Sequence, residues 1–174
     1  SKAVEIGIAD FSSLQGIIFE DIKISQEEDF SSHKLLFTSK RIDVRLTSLF
    51  SKTIEPKKVV VYSAKLNINL DDPMNLNALK YFHELNLPDI YFDNLELQIR
   101  SNNQDLLRSS KPIHVSLVRR EQFIDINFND NQFMGILVGS LKGSGKYNLE
   151  TNENSITIDF SNQDMYNMPG ISKA

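Results

Sequence analysis

Lys58-Val59-Val60-Val61-Tyr62-Ser63-Ala64-Lys65-Leu66-Asn67-Ile68-Asn69-Leu70 is the stretch that decides the fold. Taken with a period of two, Val60, Tyr62, Ala64, Leu66, Ile68 and Leu70 line one side, and Val59, Val61, Ser63, Lys65, Asn67 and Asn69 the other. A strand of about 12 residues is roughly twice the usual length, so the sheet it joins is expected to be tall.

The same alternation spreads outward in both directions. Upstream, residues 34–46 place Leu36, Thr38, Ile42, Val44 and Leu46 against Ser39, Arg41, Asp43 and Arg45. Residues 17–24 alternate through Ile18, Ile22 and Ile24, and Val4-Glu5-Ile6-Gly7-Ile8 reads as a shortened first strand. Downstream, alternating runs cover residues 94–100, 112–118, 122–128, 133–142 and 155–161. Ser101-Asn102-Asn103-Gln104-Asp105, Arg119-Arg120-Glu121, Asn129-Asp130-Asn131 and Asn152-Glu153-Asn154 read as hairpin turns. Thr47 to Lys52 is short and reads as one helical turn joining two strands. One segment breaks the period. Asp72 suits an N-cap and Pro73 a first helical position, Leu76, Leu79, Phe82 and Leu85 recur every three residues, and Pro88 stops the run. The expected fold class is therefore mainly β (α+β): a long antiparallel curved sheet or β-groove with one helix near residues 73–86.

Composition bounds the function. The chain has 174 residues, net charge −4 and 40% hydrophobic residues, which suits one globular domain over residues 1–174 with a buried core. The acidic balance excludes a general nucleic-acid binder, which needs a basic excess. Cysteine is absent, which rules out a thiolate nucleophile, a cysteine zinc site and a disulfide frame. No apolar run reaches the roughly 18 residues of a membrane span. The chain begins Ser1-Lys2 without a Met and reads as an excised piece of a longer protein.

Chemistry-bearing motifs are sparse. His33, His83 and His114 are far apart and read as ordinary surface or half-buried residues, so no metal site is expected. Gly143-Ser144-Gly145-Lys146 resembles the tail of a phosphate loop. Ser140 stands where the loop needs its first Gly, and Tyr147 where it needs Ser or Thr, so the glycines read as a strand bend. Asp71, Asp72, Asp125, Asp130 and Asp159 are scattered and form no acid–base pair. No catalytic residue and no cofactor is expected. Residues 34–65 carry Lys34, Lys40, Arg41, Arg45, Lys52, Lys57, Lys58 and Lys65 against Asp43 and Glu55. That window reads first as a solvated sheet face with edge lysines, and second as a surface for anionic headgroups or an acidic partner.

The order of segments resembles the AsmA-like family, within the bridge-like lipid-transfer superfamily. Leu14-Gln15-Gly16-Ile17-Ile18-Phe19-Glu20-Asp21-Ile22-Lys23-Ile24 looks like its opening strand, and Val44-Arg45-Leu46-Thr47-Ser48-Leu49-Phe50 like its Leu-rich turn. Val59 to Leu70 is similar to its long strand, Asn75-Leu76-Asn77-Ala78-Leu79 to its helix, and Pro88 to Leu97 to the strand-turn-strand that follows. The likeness covers about residues 14–160 as an ordered series of degenerate patterns. It departs where the family has an N-terminal membrane helix, and where Asn67-Ile68-Asn69 replaces a frequent Pro. The type II secretion N subunit group is similar in its opening strand and later Gly-rich strands.

The resemblance implies a periplasmic protein, anchored in the inner membrane, whose apolar trough guides phospholipid or another acyl-chain ligand in envelope lipid transport and outer-membrane biogenesis. Leu36, Ile42, Val44, Leu46, Val60, Tyr62, Leu66, Ile68, Leu97, Ile99, Val115 and Leu117 are the expected lipid-binding residues. The alternative is a structural or assembly module with a dry sandwich core, meeting envelope or secretion proteins through its edge strands. A hydrolase or carbohydrate-binding sheet ranks last, because Phe37, Tyr62, Tyr91, Phe92, Phe123 and Tyr147 spread over both faces.

Overall fold

The long run forms the strand expected of it, Pro56–Asn69, with strands hydrogen-bonded on both sides. The computed structural model describes residues 2–12, 16–31, 34–47, 53–71, 88–102, 104–109, 111–134, 139–148, 150–151 and 153–161. Within them ten strands share one sheet: β1 (Val4–Ser12), β2 (Gly16–Ser25), β3 (Leu35–Leu46), β4 (Pro56–Asn69), β5 (Asp89–Ser101), β6 (Gln104–Ser109), β7 (Ile113–Arg120), β8 (Phe123–Met134), β9 (Gly139–Asn148) and β10 (Asn154–Ser161). The helix expected near residues 73–86 lies outside the described residues, as does most of the connection at 48–52.

The sheet order is β1-β2-β3-β4-β5-β6-β8-β9-β10, with β7 bridging β5 and β8. β6 and β7 act as two halves of one interrupted strand. β6 pairs with the end of β5 (Gln98↔Arg108) and β7 with its beginning (Phe92↔Val115). Among the described residues β1 pairs only with β2 and β10 only with β9, so the sheet is open and not closed into a barrel.

Several expectations are corrected. The sheet is mixed, because β4 and β5 run parallel (Val61↔Phe92, Leu66↔Leu97). The chain leaves one end of β4 and re-enters at the other, which reverses the direction a hairpin would impose. β1 is a full nine-residue strand. Gln104–Ser109, expected to begin as a turn, is a strand, since Asn102 at φ 50° turns the chain early enough for Gln104 to pair with Ser101. Asn129-Asp130-Asn131 is no hairpin turn. It lies within β8, where the register against β9 shifts between Phe128 and Asn131, and β9 begins only at Gly139.

The main irregularity is a seam that crosses the strands. Ile6 pairs with Ile22 and Ile8 with Glu20, which leaves Gly7 and Asp21 opposite each other and outside the pairing. The same omission recurs at Asp21 and Lys40, at Lys40 and Ser63, and at Ser63 and Asn94. Asp21 (φ 53°), Ser63 (φ 49°) and Asn94 (φ 62°) are left-handed, a conformation that non-glycine residues rarely adopt. Each strand therefore bends at the same level, and its side chains change faces there. In β4, Val59 and Val61 point to the side that Ala64, Leu66 and Ile68 occupy beyond the seam. Buried Ser39 patches the gap, its hydroxyl lying 2.9 Å from the carbonyl oxygens of both Arg41 and Tyr62.

The core sits along this seam. Val61, Ala64, Leu95 and Ile113 form the buried cluster, and Phe37, Ile42, Val59, Leu66, Ile90, Phe92, Leu97 and Val115 pack around it half-buried. Ile22 is buried beside the seam in β2. Burial concentrated at the bend places the core of the curved sheet on its apolar face.

Candidate functional site

The apolar face is the candidate site, and the strand register assembles it. Ile17, Phe19, Ile22 and Ile24 of β2 lie opposite Val44, Ile42, Ser39 and Phe37 of β3. These face Val59, Val61, Ala64 and Leu66 of β4, which continue into Ile90, Phe92, Leu95 and Leu97 of β5. Val115 and Leu117 of β7, then Phe128 and Ile126 of β8, extend the surface. The result is one apolar surface over six strands in which only the residues at the bend are fully buried.

Eight of the twelve residues expected to bind lipid lie on this face: Ile42, Val44, Leu66, Ile68, Leu97, Ile99, Val115 and Leu117. Val60 and Tyr62 do not. They share the opposite face with Asp43 and Arg41, because left-handed Ser63 inverts the alternation midway along β4. Leu36 neighbours inward-facing Phe37 and so turns to the opposite side, while Leu46 sits at the register shift that ends β3, opposite Pro56. Inward residues outside that set include Phe37, Val59, Val61, Ile90 and Phe92, and Leu95, which alternation had aligned with Leu97.

The other face is polar and largely paired. Glu20, Arg41, Tyr62 and Asp93 stand in one row across β2 to β5, and His114 Nδ1 closes the row 3.0 Å from Asp93 Oδ1. Arg41 makes a two-pronged contact with Asp43, at 2.6 and 3.1 Å, and its guanidinium lies over the Tyr62 ring. The hydrogen bond and charge of Asp43 raise the Arg41 pKa. Lys65 meets Glu96 at 2.8 Å, and Lys58 Nζ sits 4.1 Å from the centre of the Tyr91 ring. The basic stretch is thus answered in part by acidic and aromatic residues that the fold brings over from β5. Each exposed pair contributes only about 0–1 kcal/mol, so the arrangement fits a solvated face.

Two motifs singled out above find structural settings. His114 is exposed beside Asp93, while His33 and His83 lie outside the described residues. Gly143 and Gly145 lie within β9. A Cβ at Gly143 would come within 2.5 Å of the Phe128 ring and 2.7 Å of the Thr157 carbonyl oxygen, so the glycine lets that ring lie across the neighbouring strand. Among the described residues no group of His, Asp and Glu gathers to hold a metal ion. No protein-family model matches the chain, and no curated protein matches it either.

Proposed function

We propose that this chain is a non-catalytic AsmA-like module that holds phospholipid or another acyl-chain ligand along its apolar face, as part of envelope lipid transport. One observation supports the reading: a continuous apolar surface on an open sheet, buried only at its bend and half exposed beyond it. Ile42, Val44, Leu66, Ile68, Leu97, Ile99, Val115 and Leu117 would contact the chains. The mechanism is passive. Each methylene removed from water contributes about 0.8 kcal/mol, so a dozen give on the order of 10 kcal/mol before ordering costs, while headgroups stay in water. The parent protein would be periplasmic and anchored in the inner membrane.

Native mass spectrometry of the purified chain tests this. Co-purified phospholipid is expected, together with uptake from liposomes. Ile68→Asp and Ile99→Asp, both outside the buried cluster, should abolish lipid recovery and leave the fold standing. Protein that is consistently lipid-free and takes up none from liposomes would sink the reading.

The assembly alternative has its own support. β1 is an edge strand whose Val4, Ile6, Ile8 and Phe11 are all exposed, a surface suited to pairing with a strand of an envelope or secretion protein. Pull-downs from envelope extracts that need β1 residues, with no lipid bound, would favour it.

A further inference from the structure

The polar face carries a cleft that acyl-chain binding does not use. It opens where β6 stops at Ser109 and β7 has yet to start at Ile113. Glu96 and Leu97 of β5 have no partner in the ladder there. The Ser109 hydroxyl fills in, accepting the Leu97 N–H at 2.8 Å, and Pro112 brings no N–H of its own. The gap leaves a cavity of about 350 Å³ between the two strand halves, within the size range of small-molecule sites.

The chemistry of the walls is unbalanced. Lys65, Arg108 and Lys111 line the cleft against a single carboxylate, Glu96, which Lys65 already holds at 2.8 Å. The side chains of Arg108 and Lys111 make no hydrogen bond or ion pair among the described residues. Asp105, on the same strand as Arg108, is hydrogen-bonded by Gln98 and Arg100, which hold its carboxyl below the usual range, and its charge reaches Arg108 only as a weaker, unbonded attraction. Ser109 is buried, and its hydroxyl hydrogen has no acceptor among the described residues. The Arg108 guanidinium, the Lys111 ammonium and a buried hydroxyl donor thus line one space of ligand size.

We infer that this cleft binds a phosphate group, through Arg108 and Lys111 with Ser109 as a further donor. A dianion matches the two surplus charges, and the planar guanidinium suits two phosphate oxygens at once. The cleft shares only Leu97 with the apolar face, through its backbone amide, and the inference does not rest on lipid binding there. The phosphate could belong to a soluble phosphate ester or to a lipid headgroup, and the cavity has room for a small ester substituent.

The test is a titration of the full 174-residue chain, followed by ¹H–¹⁵N NMR at constant ionic strength. Inorganic phosphate should give saturable shifts confined to the amides of Leu97, Ser109 and Lys111. The double variant Arg108→Gln/Lys111→Gln, altered only at exposed side chains, should weaken Kd at least tenfold with the rest of its spectrum unchanged. Shifts that fail to saturate, that spread over every basic surface, or that persist in the double variant would overturn the inference. Glycerol 3-phosphate and monomeric dihexanoylphosphatidic acid then separate the sources. Tighter binding of the lipid assigns a headgroup and equal binding a soluble ester, and either result upholds the site.

Discussion

Leu95 in β5 and Ile8 in β1 are both large aliphatic residues in strands of the same sheet, yet Leu95 is 4% exposed and Ile8 54%. Leu95 stands at the bend, between Ala64 on one side and Ile113 on the other. Ile8 has a single strand beside it and points to the face that carries Glu20. The difference teaches that alternation specifies a strand and its two sides, whereas burial comes from position. Both residues adjoin the seam, so strands on both flanks and a place on the apolar face are what bury a side chain here.

The sharpest way to break the comparison is to make the same truncation in both places. Leu95→Ala should lower unfolding free energy by about 3 kcal/mol, the usual loss for a buried leucine, as read from urea denaturation. A value below about 1 kcal/mol would show that the bend is not the centre of stability. Next comes the seam itself. Ser63→Val forces a β-branched residue into left-handed backbone and should cost about 1–2 kcal/mol, whereas Ser63→Gly should be neutral or stabilising. Equal behaviour of the two variants would mean that Ser63 does not hold that backbone in solution. Ile8→Ala, at the edge, should change stability by less than about 0.5 kcal/mol, and a Leu95-like loss would show that β1 is covered in solution.

The smallest effect is set by pH. Hydrogen bonds from Gln98 and Arg100 lower the Asp105 pKa, so its contribution is complete above the ordinary aspartate value of about 3.9 and fades as pH falls through the lowered one. Amide exchange in the β5–β6 hairpin should therefore quicken, relative to β4, only in that acidic window. Asp105→Asn should remove the pH dependence.

The seam also explains how much of the fold was legible. The strands were visible because apolar residues recur every second position, and that signal needs no knowledge of neighbours. The face inversion was visible too, though at a different spacing. Each long strand contains one step of three between inward residues: Phe19 to Ile22, Ser39 to Ile42, Val61 to Ala64, and Phe92 to Leu95. A polar or turn-forming residue sits in each step, namely Asp21, Lys40, Ser63 and Asn94. Strict alternation through Ser63 therefore assigned Val60 and Tyr62 to the wrong side. β6 was hidden because adjacent Leu106 and Leu107 do not alternate. The turn composition of Asn129-Asp130-Asn131 was overridden by the pairing of Asn129 with β7 and of Asn131 with β9. The polar cleft was not legible at all, since Lys65, Arg108 and Lys111 converge only through the parallel pair and the strand break.

That parallel pair has a consequence at the ends of the sheet. Nine successive positions in a purely antiparallel sheet would leave the first and last strands pointing the same way. The single parallel step between β4 and β5 cancels one reversal, so β1 and β10 point in opposite directions. A second unit laid beside this one in the same orientation would meet β10 with an oppositely directed β1. Antiparallel neighbours can be joined by a loop of a few residues, whereas parallel ones need a long crossover. One reversal, spent in the middle of the sheet, makes the whole unit tileable.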